Sequence, residues 1–208
     1  MGFPTFANNF QKGYTFPAYF INQHLLLRTF TALTEPKFAS DSLTTMTEMV
    51  FPNDTNNLGN LMGGNLLRLM DICGAVAAQK HSRRIVVTAS VDNVAFKDPI
   101  PLGSVITLRA FVTRAFNSSM EVFIDVHAEN IPAGERVMTN RAFYTFVAMG
   151  ADGKPTEVPA VIPQTDEEKL FYDAALRRRQ LRLVLAGRMA PSEATELAKL
   201  FELPATSL

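Results

Sequence analysis

Cysteine is nearly missing from the chain, tryptophan is absent and histidine occurs three times in 208 residues. The single Cys73 excludes a disulfide framework and cysteine-based zinc ligation. It fits a reducing compartment, so a cytoplasmic protein is expected. His24, His81 and His127 are scattered without metal-ligand spacing, and neither a P-loop nor a G-x-G-x-x-G run occurs. No metal and no resident cofactor are therefore expected. Net charge is lacking too, since 20 basic residues cancel 20 acidic ones. That leaves no electrostatic footprint for duplex nucleic acid or an anionic membrane. No apolar run approaches the roughly 20 residues of a spanning helix. What is present is a 47% apolar fraction against 19% charged, which excludes disorder of the whole chain. A chain of this length can bury roughly 70% of the surface its unfolded form exposes.

The first forty residues stand apart. MGFPTFANNFQKGYTFPAYF is aromatic-rich, is broken by Pro4 and Pro17, and has neither helical nor strand periodicity. Residues 1–41 read as a loosely attached extension, without the basic start and small-residue cleavage site of a secretory signal. From Ser42 the pattern sharpens. SLTTMTEMVF alternates as a strand, PNDTNNLGN is a loop dense in turn residues, and GGNLLRLMDICGAVAAQKH is a helix apolar on nearly every side. Four strands are predicted next, over Ile85 to Phe96, Val105 to Phe116, Met120 to Asn130 and Val137 to Met149. In the third, Met120, Val122, Ile124, Val126 and Ala128 form a core face, and Glu121, Asp125, His127 and Glu129 a wetter one. Short connections make these neighbours antiparallel. GADGKPTEVPAVIP reads as a linker. The capping box Thr165-Asp166-Glu167-Glu168 opens a helix carrying Arg177, Arg178 and Arg179, read as a solvated face, and a last short helix is expected from Ser192. One apolar helix and one sheet pack economically when the sheet wraps the helix, which makes residues 42–163 a single α+β domain and residues 164–208 a helical tail.

The odd residue is Asp71, a carboxylate between Leu69, Met70, Ile72 and Cys73. Such a group is costly unless paired or at work, and burial alone leaves a structural ion pair and a functional role equally open. Gly63 and Gly64 at the helix start either make a tight turn or bare backbone N–H groups for a carbonyl oxygen gaining charge. Asn56, just before, is either a turn residue or an amide that orients a carbonyl or a water. Asp71 lies about 11 Å along the helix from the glycines, too far to act on a carbonyl held there. Two such helices antiparallel across a twofold axis would bring the Asp71 of one subunit to the glycines and Asn56 of the other.

FPNDTNNLGNLMGGNLLRLMD, VVTASVDNVAFKDPIPLGSVI, NSSMEVFIDV and FVAMGADGKPTEVP together resemble the hotdog-fold acyl-CoA thioesterases of the cytosolic acyl-CoA hydrolase type, over roughly residues 43 to 185. The resemblance implies an antiparallel sheet wrapped around a central helix, a hotdog dimer assembled as a trimer of dimers, and hydrolysis of acyl-CoA to free acid and CoA. It places the loop asparagine on Asn56, the helical aspartate on Asp71 and the oxyanion glycine on Gly63 or Gly64. In the mechanism it suggests, Asp71 is general base on a water, while the Gly64 amide with Asn56 polarises the carbonyl; no metal and no Cys73 nucleophile takes part. Thr88 is a candidate supporting hydroxyl. Arg83, Arg84, Lys97, Ser118 and Ser119 are candidates to hold the CoA phosphates. The alternative is a hotdog protein that binds acyl-CoA without hydrolysing it, as a ligand sensor or structural subunit.

Overall fold

In the computed structural model, residues 35–92, 94–96 and 98–202 are described; the aromatic-rich extension and Lys97 lie outside them. The alternating runs are strands, as expected. In chain order the elements are β1 (Lys37–Phe38), β2 (Thr44–Met49), α1 (Gly63–Ser82), β3 (Ile85–Asp92), β4 (Val105–Ala115), β5 (Ser119–Asn130), β6 (Glu135–Met149), β7 (Val161–Ile162), α2 (Asp166–Leu185) and α3 (Thr195–Glu202). β2 to β6 form one antiparallel sheet in the order β2-β4-β5-β6-β3, so β3 is an edge strand. Register shifts between Thr88 and Ser90, Val112 and Arg114, and Val126 and His127 add twist, and the sheet curls round α1.

The core lies between α1 and the inner face of the sheet. Leu66, Met70, Cys73 and Ala77 of the helix are buried against it, with Val122, Ile124 and Phe146 of the strands. Gly74 lets the helix come close: a Cβ there would stand 2.9 Å from Ile124 Cδ1 and 3.0 Å from the Phe146 ring. α1 is not buried all round, however. Ile72 and Val76 stay 42% and 40% exposed.

Other expectations are corrected as well. The polar face of β5 is not wet: Glu121 and Asp125 are 0% and 3% exposed, because α2 lies across the outer face of the sheet. The arginines of α2 are accordingly not a solvated face. Arg178 forks onto Glu121 with Nη2 to Oε1 at 2.7 Å and Nε to Oε2 at 3.1 Å, and Arg182 bridges Glu121 and Asp92. Phe171 of the same helix stacks on Phe123 at 4.4 Å between centroids. The linker also contains a strand, since β7 pairs in parallel with β1, two residues each and too short for any periodicity to reveal. The Thr165 capping box is present, with Thr165 Oγ1 accepting from the Glu168 amide and the Glu168 carboxylate accepting in return. The last helix starts at Thr195, because Pro191–Glu193 forms a 3-10 turn first. Among the described residues no helix is long and apolar enough to cross a membrane.

Candidate active site

The loop before α1 ties itself together through Asn56. Its Oδ1 accepts from the Leu58 amide at 2.9 Å and the Asn60 amide at 3.2 Å, and its own N–H donates to the Asn60 carbonyl at 2.8 Å. The turn-residue reading therefore holds, and it leaves the Asn56 amide nitrogen as an outward donor. Asp54 joins loop to helix: its carbonyl accepts from the Met62 N–H at 2.9 Å and from Asn65 Nδ2 at 3.2 Å. Met62 is the N-cap residue, and no side chain caps the helix. The first-turn N–H groups are thus left for water or a ligand. The two glycines differ in kind. A Cβ at Gly63 would stand 3.3 Å from the Phe96 ring, so Gly63 serves close packing, whereas a Cβ at Gly64 would meet nothing within 4 Å. Asn56, Gly63, Phe96 and Asn140 share the wall of a cleft of about 420 Å³.

Asp71 sits two turns further on and does not line that cleft. It is half-buried, and the Thr88 hydroxyl of β3 donates to its Oδ1 at 2.5 Å. Oδ1 is thereby fixed, and Oδ2 meets no hydrogen-bond donor among the described residues. Thr88 is thus a strand residue facing the helix, brought within hydrogen-bond reach of Asp71. Sequence reasoning missed Tyr144, buried on the inner face of β6 with its hydroxyl 3.4 Å from the Leu67 carbonyl. Burial, and then the nearby Asp71 charge, push the Tyr144 phenol up to about 12. The signal in the sequence was slight: one hydroxyl in the alternation Ala142, Tyr144, Phe146, Ala148. Cys73 is buried, with Sγ 3.8 Å from the Thr44 carbonyl, and burial pushes its thiol up to about 11, which suits a packing residue and not a nucleophile.

The remaining candidates fall in different places. Arg83 is the left-handed cap of α1 at φ 55, its N–H donating to the Gln79 carbonyl, and its side chain is exposed. Arg84 follows, half-buried. Lys97 lies outside the described residues. Ser118 and Ser119 are on the other side of the sheet, in a cavity under α2. Among the described residues no group of three or more His, Cys, Asp or Glu could hold a metal ion.

Comparison with known proteins places this arrangement. The thioesterase superfamily model matches residues 58–134. An uncharacterized acyl-CoA thioester hydrolase, YkhA of Bacillus subtilis, is 42% identical over 144 residues, covering 69% of this chain and 84% of that protein. A crystal structure of an apo-hexameric acyl-CoA thioesterase superposes with a TM-score of 0.71 at 42% identity, over 73% of this chain and 97% of that one. An acyl-CoA hydrolase from Staphylococcus aureus, solved with butyryl coenzyme A and coenzyme A, superposes at 0.68 with 37% identity, over 73% and 94%. That enzyme has also been solved as variants in which an aspartate, an asparagine and a threonine are each replaced by alanine. The chain belongs to the thioesterase superfamily, in the family of hotdog-fold acyl-CoA thioesterases.

Proposed function

We propose that this thioester hydrolase cleaves acyl-CoA to a free acid and coenzyme A at composite sites, each made from two copies of the chain. The water oxygen adds to the thioester carbonyl carbon while Asp71 takes its proton through the oxygen that Thr88 leaves free. The carbonyl oxygen becomes an oxyanion facing the Gly64 N–H and the Asn56 amide of the other copy. Collapse of the tetrahedral intermediate breaks the carbon–sulfur bond, and the proton held by Asp71 passes to the departing thiolate.

The observation that carries this reading is the separation within one chain. Asp71, gripped by Thr88, and the open Gly64 amide belong to one helix about 11 Å apart, so they can meet only across two molecules. The exposed Ile72 and Val76 and the edge of β3, unpaired among the described residues, give such a pairing a surface to bury. The asparagine, aspartate and threonine replaced in the Staphylococcus aureus hydrolase are spaced as Asn56, Asp71 and Thr88 are here, which further supports their roles. The hexameric relative supports assembly of this chain as a trimer of dimers. We assign the hydrolase domain to residues 42–163, between the extension 1–41 and the helical tail 164–208, and the protein to the cytoplasm. The substrate's CoA moiety is bound without a further cofactor, through basic and hydroxyl groups drawn from Arg83, Arg84, Lys97, Ser118 and Ser119.

The test is free-thiol release from acyl-CoA over a range of chain lengths, for the wild type and for Asp71→Asn. Turnover by the wild type and its loss by at least about a hundredfold in an oligomer of unchanged size is the expected result. An undiminished rate in Asp71→Asn defeats the base assignment. Acyl-CoA binding with no thiol release at any length would make the chain a binding protein.

A further inference from the structure

The inner face of β6 carries Asn140, Ala142, Tyr144, Phe146 and Ala148, and all five are buried. Asn140 is the amide in this row, 4% exposed, and it stands where the strand meets the cleft of about 420 Å³ beside Asn56. Its Nδ2 donates to the Ala95 carbonyl at 2.7 Å. A carbonyl only accepts, so this bond fixes which end of the amide is nitrogen. The Asn140 Oδ1 accepts from no donor among the described residues. A buried acceptor without a partner is costly, and this one is left to whatever fills the cleft.

The cleft fits one part of the substrate. Asn56 and Gly63, at the carbonyl-gripping end, line it, while Leu66, Ile100 and Asn140 are buried and form its floor. A thioester carbonyl has two branches. The CoA arm has to run out to solvent, so the branch that meets a closed floor is the acyl group. The lining says which acyl group. Leu66, Phe96 and Ile100 are apolar, and the Asn140 Oδ1 and the Asp98 carboxylate are acceptors in the same wall. A cleft at the small end of the volumes that take ligands, with apolar sides and acceptors, suits a short acyl chain bearing a hydroxyl. The methylenes meet Leu66, Phe96 and Ile100, and the hydroxyl donates to Asn140. A long hydrocarbon chain would instead lie against the amide and leave it without a hydrogen bond.

We propose that Asn140 is a specificity-determining residue that accepts a hydrogen bond from a hydroxyl on the acyl chain, so that the enzyme prefers short hydroxyacyl-CoA to unsubstituted acyl-CoA of the same length and to long-chain acyl-CoA. The proposal rests on the hydrolase reading above and deepens it by naming the acyl class.

The experiment measures kcat/KM by thiol release for butyryl-CoA, both enantiomers of 3-hydroxybutyryl-CoA and palmitoyl-CoA, in the wild type and in Asn140→Leu, whose side chain is of similar size but cannot accept. The wild type is expected to turn over the better hydroxybutyryl enantiomer roughly tenfold more efficiently than butyryl-CoA, the worth of one hydrogen bond to an otherwise unpaired acceptor, and palmitoyl-CoA less efficiently than either. In Asn140→Leu the hydroxybutyryl-to-butyryl ratio should fall to about one, and palmitoyl-CoA should gain on butyryl-CoA. Each ratio is taken within one protein, so a loss of folded enzyme cancels. Equal efficiency on butyryl-CoA and both hydroxybutyryl enantiomers in the wild type, or a preference that Asn140→Leu leaves in place, overturns the proposal and spares the hydrolase reading. Calorimetry with the same ligands separates the two. Tighter binding of hydroxybutyryl-CoA than of butyryl-CoA by a wild type that releases no thiol, lost in Asn140→Leu, would sink the hydrolase reading and keep the role of Asn140.

Discussion

Along β5, Val122, Ile124 and Val126 point to α1 while Glu121 and Asp125, at alternate positions, point towards α2, and all five are buried. The inner face is held by apolar area, at roughly 1.5–3 kcal/mol for each fully buried side chain and with no demand on direction. The outer face is held by geometry. Glu121 is out of water and is compensated by the Arg178 fork, Arg182 and the Thr113 hydroxyl at 2.8 Å. Such a network adds little net stability over an apolar isostere, yet it is costly to leave half-made. The inner face therefore supplies the stability that carries Asp71, and the outer face fixes where α2 sits and so where its arginines stand.

Breaking one partner of the outer network gives the largest effect. Arg178→Met leaves Glu121 short of its main counter-charge and should lower stability by about 3–5 kcal/mol in urea unfolding at fixed protein concentration. Adding Glu121→Leu to the same chain should restore much of that loss. A single variant within about 1 kcal/mol of wild type would mean that water reaches Glu121 after all. On the inner face the corresponding change is steric. Gly74→Ala forces a methyl against Ile124 and Phe146, and should cost about 1–3 kcal/mol, less than the broken ion pair because Ile124 Cδ1 is the far end of a flexible side chain. A neutral result would show that the helix can lift from the sheet at no cost.

The same contrast explains what the sequence discloses. The inner face is legible because its information is local: period-two alternation in β4, β5 and β6, good helix formers in α1, and Asp71 conspicuous among apolar neighbours. The outer face is hidden because each component looks solvated when taken alone. Glu121 alternates with apolar residues as an exposed strand residue would, and Arg178 sits in a basic run as an exposed helix residue would; only the fold brings together groups 57 positions apart. The site divides likewise. The candidates Asn56, Gly64 and Asp71 stand in one continuous motif, whereas the Thr88 hydroxyl reaches Asp71 from 17 residues away, and Tyr144 comes to the same helix from a strand whose pattern announces only core.

Acid should distinguish the two faces without any mutation to the outer one. His81 lies wholly buried near the end of α1, its Nε2 2.8 Å from the Pro159 carbonyl and its Nδ1 without a partner among the described residues. Burial lowers its pKa from the ordinary value of 6.5, against the pull of the Pro159 carbonyl. The folded state thus prefers the neutral ring. Below 6.5 the unfolded chain binds the proton more readily than the folded one does, so this part of the stability is fully present above that pH and is lost as the pH falls toward the folded-state value. His81→Gln keeps an N–H that can donate to Pro159 but cannot titrate. Its midpoint in urea should therefore fall less between pH 7 and 5 than that of the wild type, and equal falls would place the acid-sensitive group elsewhere.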